Sequence, residues 1–69
     1  MESFVTKNST QKIRISNGHF KGHDFVDMRL FVSDGSDELI PTPRGITFPY
    51  TKIREVIEGL QELAKHLDA

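Results

Sequence analysis

The sequence predicts an α+β domain in which four antiparallel strands are followed by one long C-terminal amphipathic helix. Between Lys12 and Pro49, segments in which apolar and polar side chains alternate with a period of two are separated by turns, which is typical of strands with one buried face. Beyond Pro49 the apolar side chains recur at steps of three and four residues, which indicates an amphipathic helix. A chain of 69 residues has room for one domain only, so sheet and helix belong together.

The first ten residues carry no sustained period. They are polar and rich in Ser, Thr and Asn. We therefore predict a flexible N-terminal arm over residues 1–10 and a single domain over residues 11–69.

The first predicted strand covers residues 12–16, where two isoleucines alternate with polar side chains. Its outward face carries Lys12, Arg14 and Ser16 and is therefore basic. The strand is expected to continue towards a hairpin turn.

Two pairs of residues could form that turn, Asn17-Gly18 and Lys21-Gly22. Asn-Gly is the stronger hairpin signal in general. A turn there would leave Gly22 inside the next strand, so we predict the hairpin at Lys21-Gly22. Asn17-Gly18 is then expected to be a bulge or bend.

The second predicted strand, residues 25–32, has two distinct faces. An ordinary core face consists of Val26, Met28, Leu30 and Val32. The other face consists of Phe25, Asp27, Arg29 and Phe31. Two phenylalanines around an arginine are costly to leave in water, which indicates a surface that binds something flat and anionic.

Two shorter strands are predicted to complete the sheet. Residues 33–37 form a turn, and residues 38–41 form a third strand that ends at a proline. A second turn at Pro43-Arg44-Gly45 leads to a fourth strand over residues 46–48.

The predicted helix runs from about Tyr50 to Leu67 and has one apolar stripe. The sheet can cover part of this stripe, and a second copy of the helix can cover the rest. A small domain without cysteine needs such extra buried surface, so we predict a two-fold homodimer with the polar sheet faces outward. Gly59 is expected to mark a kink or a close approach of helices. The predicted interface residues are Ile53, Val56, Ile57, Leu60, Leu63 and Leu67.

The charge is unevenly distributed, although the net charge is only −1. Residues 1–32 hold five Lys and Arg against three Asp and Glu, whereas residues 33–69 hold four against seven. Positive charge therefore lies with the sheet. No apolar run reaches the roughly 20 residues of a membrane span, and the N-terminus lacks a secretory signal, so we expect a soluble intracellular protein.

No metal, cofactor or catalytic site is expected. His19 and His23 have only Asp24 as a nearby third ligand, which is too few for zinc. Residues 34–38 lack the ligand order of a calcium loop. Nothing pairs a nucleophile with a base, so the chain is not expected to be an enzyme.

One series of segments follows a known order along the chain. The segments are residues 12–16, Phe20-Lys21-Gly22, Val26-Asp27-Met28-Arg29, an acidic turn, Pro41-Thr42-Pro43-Arg44-Gly45-Ile46 and the C-terminal helix. This series, with unbroken spacing from Phe20 to Ile46, resembles the family of transcriptional coactivators called positive cofactor four over roughly residues 11–67. The resemblance implies a homodimeric ββββα fold whose curved sheets bind single-stranded DNA, in a family with small bacterial and phage members.

The resemblance also implies contact residues. The family's DNA-contacting aromatic falls on Phe20, its hairpin cation on Lys21, its mid-strand arginine on Arg29 and its cation before Gly-Ile on Arg44. The departures from the family pattern are Val32 for a stacking tryptophan, Ile40 for a lysine and Gly18 for an arginine.

Phe31 lies next to the position of the missing tryptophan, on the Arg29 face by alternation, and is a candidate replacement. Phe25 is a weaker one. His23 replaces a basic hairpin residue, so binding is expected to strengthen as the pH falls towards the imidazole pKa of about 6.5.

We therefore predict a sequence-tolerant, single-stranded DNA-binding homodimer that acts in replication, recombination, repair or transcription regulation. The predicted contact residues are Lys12, Arg14, Phe20, Lys21, His23, Arg29, Phe31 and Arg44. The short N-terminal segment favours a minimal bacterial or phage-type member, in the cytoplasm or nucleoid or in an infected cell, over a nuclear coactivator.

Other interpretations remain open at this point. The chain could be a protein-interaction module that serves as a transcriptional coactivator, binding transcription or recombination proteins, with DNA binding secondary. The face with Phe25 and Phe31 could be a covered interface. Arg29 could be an ion-pair partner of Asp27, two positions away on the same face.

Overall fold

The computed structural model describes residues 1–69 and consists of one open, curved antiparallel sheet and one C-terminal helix. The sheet has the order β1-β2-β3-β4. The predicted α+β class and the ββββα order are confirmed. The elements are β1 (Glu2–Thr6), β2 (Gln11–Phe20), β3 (His23–Ser33), β4 (Leu39–Pro49), a 3₁₀ turn (Tyr50–Lys52) and α1 (Ile53–Asp68).

The N-terminal segment is a strand, so the predicted flexible arm over residues 1–10 is wrong. β1 pairs with β2 along its whole length, from Glu2 opposite Ser16 to Thr6 opposite Lys12. Phenylalanine, valine and threonine at positions 4–6 favour extended backbone, and β2 offers them a free edge. The sequence shows no alternation here because the apolar residues Phe4 and Val5 are adjacent.

The third and fourth predicted strands are two parts of one strand, β4. Between the pairs Arg29–Gly45 and Phe31–Pro41 the register shifts, so that residues 42–44 lie opposite Leu30 alone. The Thr42 hydroxyl donates a hydrogen bond of 2.8 Å to the Leu30 carbonyl across this bulge. The bulge accommodates Pro43, which has no N–H for the ladder, and this is why the segment resembles a turn in sequence.

The predicted hairpin between β2 and β3 is confirmed. Lys21 and Gly22 both have positive φ, 52° and 79°, as a two-residue hairpin turn requires. The predicted bulge at Asn17-Gly18 is wrong, because both residues pair regularly with β3. Gly18 has a different reason to be glycine: a Cβ there would overlap the ring of Phe25.

The predicted turn after β3 is also confirmed as the connection to β4. The Ser36 hydroxyl and its backbone N–H both donate to the Asp34 carboxylate, at 2.7 and 3.1 Å. These hydrogen bonds hold the pKa of Asp34 below its ordinary value. Asp34 is therefore a structural residue of this turn.

Helix α1 begins over the hairpin end of the sheet and leaves much of its own apolar stripe uncovered. An apolar cleft of about 350 Å³ separates the first two turns of α1 from Ile15, Val26, Met28 and Phe48. Val26 and Phe31 are the only buried residues of the chain. Along the stripe the exposed fraction rises from 38 % at Ile53 to 72 % at Leu67.

Gly59 does not interrupt α1, which runs continuously from Ile53 to Asp68. The space beside its Cα is open, with no atom outside the neighbouring helix backbone within 4 Å of a Cβ built there. The kink and the close approach of a second helix stay predictions.

Candidate nucleic-acid interface

The β2–β3 hairpin presents an exposed aromatic ring next to a cation. Phe20, the last residue of β2, is 65 % exposed. The Lys21 ammonium lies 5.4 Å from the centroid of its ring. His23 pairs with Phe20 in the register and is exposed as well. We call Phe20, Lys21 and His23 the hairpin tip.

The outer face, which is the sheet face turned away from α1, is less basic than predicted. Arg14 and Arg29 lie opposite each other on β2 and β3. Asp27 accepts two hydrogen bonds from Arg29, of 3.0 and 3.2 Å, and lies 3.7 Å from Arg14. Glu2 approaches Arg14 to 3.8 Å. The two carboxylates offset much of the positive charge that the sequence places on this face.

Phe31 is not an open stacking platform, so this prediction needs correction. Its exposed fraction is only 7 %. The Arg14 guanidinium lies 4.6 Å from the centroid of the ring, and Phe4 packs edge-on at 6.2 Å. Both rings lie on the outer face because β1 places Phe4 opposite Arg14. The alternative of a covered face is the better description of Phe31.

Arg29 forms the structural ion pair that the sequence left as an alternative. Besides the two hydrogen bonds to Asp27, its Nη1 donates to the Thr42 carbonyl at 3.0 Å. All three guanidinium nitrogens are therefore engaged. Through the Thr42 carbonyl, Arg29 thus connects β3 to the bulge that carries Arg44.

Arg44 lies on the opposite side of the sheet, in what we call the basic groove. This groove, of about 390 Å³, has an apolar floor and two exposed cations, Arg44 and Lys7. It lies on the same sheet face as α1, since Met28 lines both the groove and the cleft under the helix. The floor consists of Ile13, Met28, Leu30 and Ile46.

Lys7 lines the basic groove although its sequence context does not indicate a binding residue. It lies in the turn between β1 and β2, where its backbone N–H bonds to the Gln11 carbonyl. A single lysine in a polar segment gives no signal in a sequence. Only the pairing of β1 brings it to the groove that Arg44 lines.

The predicted contact residues thus fall in three places rather than on one face. Lys12, Arg14, Arg29 and Phe31 share the outer face, Phe20, Lys21 and His23 form the hairpin tip, and Arg44 lies in the basic groove. The predicted cations that form no ion pair are Lys12, Lys21 and Arg44.

Two further findings concern other kinds of site. The structure contains no group of three or more His, Cys, Asp or Glu side chains that could hold a metal ion. None of the helices has the length and apolar character that crossing a membrane requires.

Comparison with known families gives one match over most of the chain. The family model described as Transcriptional Coactivator p15 (PC4) matches residues 7–59. A comparison with curated proteins finds no match.

Solved structures of similar fold come from several sources. A PC4 homolog from Burkholderia pseudomallei is 37% identical, has a TM-score of 0.83 and is aligned over 90% of this chain and 84% of its own. A bacteriophage T5 homolog of PC4, implicated in recombination-dependent DNA replication, is 24% identical over 100% of this chain and 96% of its own, with a TM-score of 0.57. MoSub1, in a complex with single-stranded DNA, is 21% identical over 97% of this chain and 77% of its own, with a TM-score of 0.59. The last two show the fold alone.

Proposed function

Because this chain belongs to the PC4 family of transcriptional coactivators, we propose that it is a homodimer that binds single-stranded DNA with little dependence on sequence. The hairpin tip carries this proposal, since it offers the exposed ring of Phe20 with the Lys21 ammonium beside it. Every unpaired base has a π-face that stacks on such a ring, and the adjacent cation suits a phosphate. The related fold of MoSub1 in complex with single-stranded DNA supports this assignment.

The shape of the protomer supports the homodimer. Its accessible surface is 5764 Å², whereas a compact monomer of 7.9 kDa exposes about 4,400 Å². Its radius of gyration is 14.0 Å, against about 11 Å for a compact chain of this length. Both values describe an extended protomer whose apolar stripe on α1 remains exposed, and a second copy provides a matching stripe that would cover it.

The unpaired cations are proposed to hold the phosphates. Lys21 lies at the hairpin tip, Lys7 and Arg44 in the basic groove and Lys12 on the outer face. In a homodimer each group occurs twice, so a single strand that reaches both copies gains affinity from the linkage. Arg14 and Arg29 are proposed to shape the sheet rather than to bind phosphate.

The proposed biological setting is inside the cell, where single-stranded DNA arises in replication, recombination, repair and transcription. The hairpin tip contacts the face of a base and the charge of the phosphate backbone, and neither feature depends on the base sequence.

Fluorescence anisotropy with a labelled oligothymidylate and a duplex of the same length tests the proposed function. We expect binding to the single strand to be at least about tenfold tighter than to the duplex, because paired bases cannot stack on Phe20. The salt concentration must be the same in both titrations. Equal affinity for the two, or no binding to either at low salt, would contradict the proposal.

Arg44 should contribute to the salt dependence of binding. Replacing Arg44 with alanine should weaken binding and reduce the slope of log K against log salt by about 0.7, as expected for one lost phosphate contact with a single strand. Arg54→Ala is the matched control, because Arg54 is an exposed arginine on α1 that lines neither the basic groove nor the hairpin tip. An equal change of slope in both variants would show a general charge effect and would contradict the proposal that Arg44 contacts a phosphate.

A further inference from the structure

A second exposed aromatic ring lies at the same end of the sheet as the hairpin tip. Tyr50, the first residue after β4, is 57 % exposed. Only Phe20 among the aromatic residues is more exposed. Pro49, the residue before Tyr50, pairs with Phe25 near the start of β3. Phe20 ends β2 and Tyr50 follows β4, and these two strands flank β3 and lie about 10 Å apart across it.

Tyr50 lines an open cleft of about 600 Å³, which we call the terminal cleft. One wall comes from the start of β3, with His23, Asp24 and Phe25, and the other from the β4–α1 junction, with Thr47, Phe48 and Thr51. This volume lies within the about 300–1,000 Å³ that is typical of small-molecule sites. The cleft has room for a planar ring system.

The chemistry of the terminal cleft favours a base over a phosphate. No lysine or arginine lines it, so it provides no permanent positive charge. It combines aromatic rings with the hydroxyls of Thr47 and Thr51, which can both donate and accept hydrogen bonds. The Asp24 carboxylate bonds to His19 at 2.8 Å. The carboxylate disfavours a phosphate, whereas the aromatic rings and hydroxyls match an uncharged, flat ligand with its own donors and acceptors.

The terminal cleft adjoins the hairpin tip, which indicates that the flat ligand is a base of the strand bound there. His23 belongs to both sites, since it pairs with Phe20 and lines the terminal cleft. A strand whose base stacks on Phe20 therefore continues towards Tyr50 across His23. We propose that the terminal cleft receives one unpaired nucleobase, stacked on Tyr50, adjacent in the same strand to the base on Phe20. This inference rests on the proposed single-strand binding.

The fluorescence of Tyr50 reports on the inference directly, because the chain has one tyrosine and no tryptophan. We expect oligothymidylate to change the tyrosine emission on binding. An abasic oligonucleotide of the same length should bind more weakly and leave the emission unchanged. This measurement uses the unaltered protein, so it does not depend on the folding of a variant.

Substitutions provide the second measurement. Tyr50→Leu keeps an apolar side chain without a π-face and should weaken oligothymidylate binding about 5- to 100-fold, with an unchanged salt slope. Tyr50→Phe keeps the ring and should bind within about twofold of the wild-type protein. Circular dichroism melts of both variants verify the fold. Phe20→Ala serves as the positive control for the proposed function.

The outcomes separate the two proposals. If Phe20→Ala weakens binding while Tyr50→Leu and the tyrosine emission show no change, the inference is overturned and single-strand binding stands. If no oligonucleotide binds, both proposals fail. A tyrosine emission that varies with protein concentration, and not with DNA, would place Tyr50 in a contact between copies and also overturn the inference.

Discussion

Replacement of Leu60 with aspartate should convert the protein from a dimer to a monomer. Leu60 lies in the middle of the apolar stripe of α1 and is 57 % exposed in the protomer. In the proposed dimer this position is buried against the second copy. An unpaired carboxylate there costs several kcal/mol, so we expect association to weaken by at least about 100-fold.

Light scattering at micromolar concentration measures the effect. The wild-type protein should have twice the protomer mass of 7.9 kDa, and Leu60→Asp should approach the protomer mass itself. Gln61→Asp is the matched control, since it adds the same charge at an exposed position outside the predicted apolar stripe. A wild-type mass near that of one protomer would refute the dimer, and a fully dimeric Leu60→Asp would remove α1 from its interface.

The loss of the dimer should also affect DNA binding. A monomer presents one hairpin tip and one basic groove, so the gain from linkage between two copies disappears. Leu60→Asp should therefore bind short oligonucleotides almost normally and lose affinity mainly for longer ones, provided that its circular dichroism spectrum retains the helix.

Substitution of Phe31 should reduce stability and leave the DNA-binding surface intact. Phe31 is 7 % exposed beneath Arg14 and Phe4. Phe31→Ala removes one of the two buried side chains of the protomer and should lower the free energy of unfolding by about 3 kcal/mol. Phe31→Leu retains most of the volume and should cost about 1 kcal/mol.

The opposite behaviour is expected of Phe20, which provides the control. Phe20 is 65 % exposed, so Phe20→Ala should change urea denaturation little and weaken DNA binding about tenfold. Phe31→Leu should keep wild-type affinity in anisotropy measurements below its melting temperature. A Phe31→Leu variant with normal stability and an affinity as low as that of Phe20→Ala would restore Phe31 as a stacking residue.

Local patterns allowed much of the fold to be predicted from the sequence. The hairpin depends on two adjacent residues that accept positive φ, and the helix depends on a repeat over several turns, so both are visible in one segment of chain. The edge strand β1 was missed because its apolar residues Phe4 and Val5 are adjacent and do not alternate with polar ones, and because its formation depends on β2. The continuity of β4 was missed because its bulge contains Pro43, which alone favours a turn.

The candidate site was only partly predictable for a related reason. Phe20 and Lys21 owe their exposure to a turn that they form themselves. The burial of Phe31 and the location of Lys7 both depend on β1, a partner distant in sequence. Alternation assigned Phe31 to the correct face and could not show what covers it.

Met28 connects two properties that are usually discussed apart. Its side chain borders the cleft beneath α1 on one side and the basic groove on the other. The packing of α1 on its own sheet and the proposed nucleic-acid contact therefore share this one side chain as a common wall. A substitution at Met28 is expected to change both the position of α1 and the shape of the basic groove, because neighbouring side chains in contact transmit small displacements.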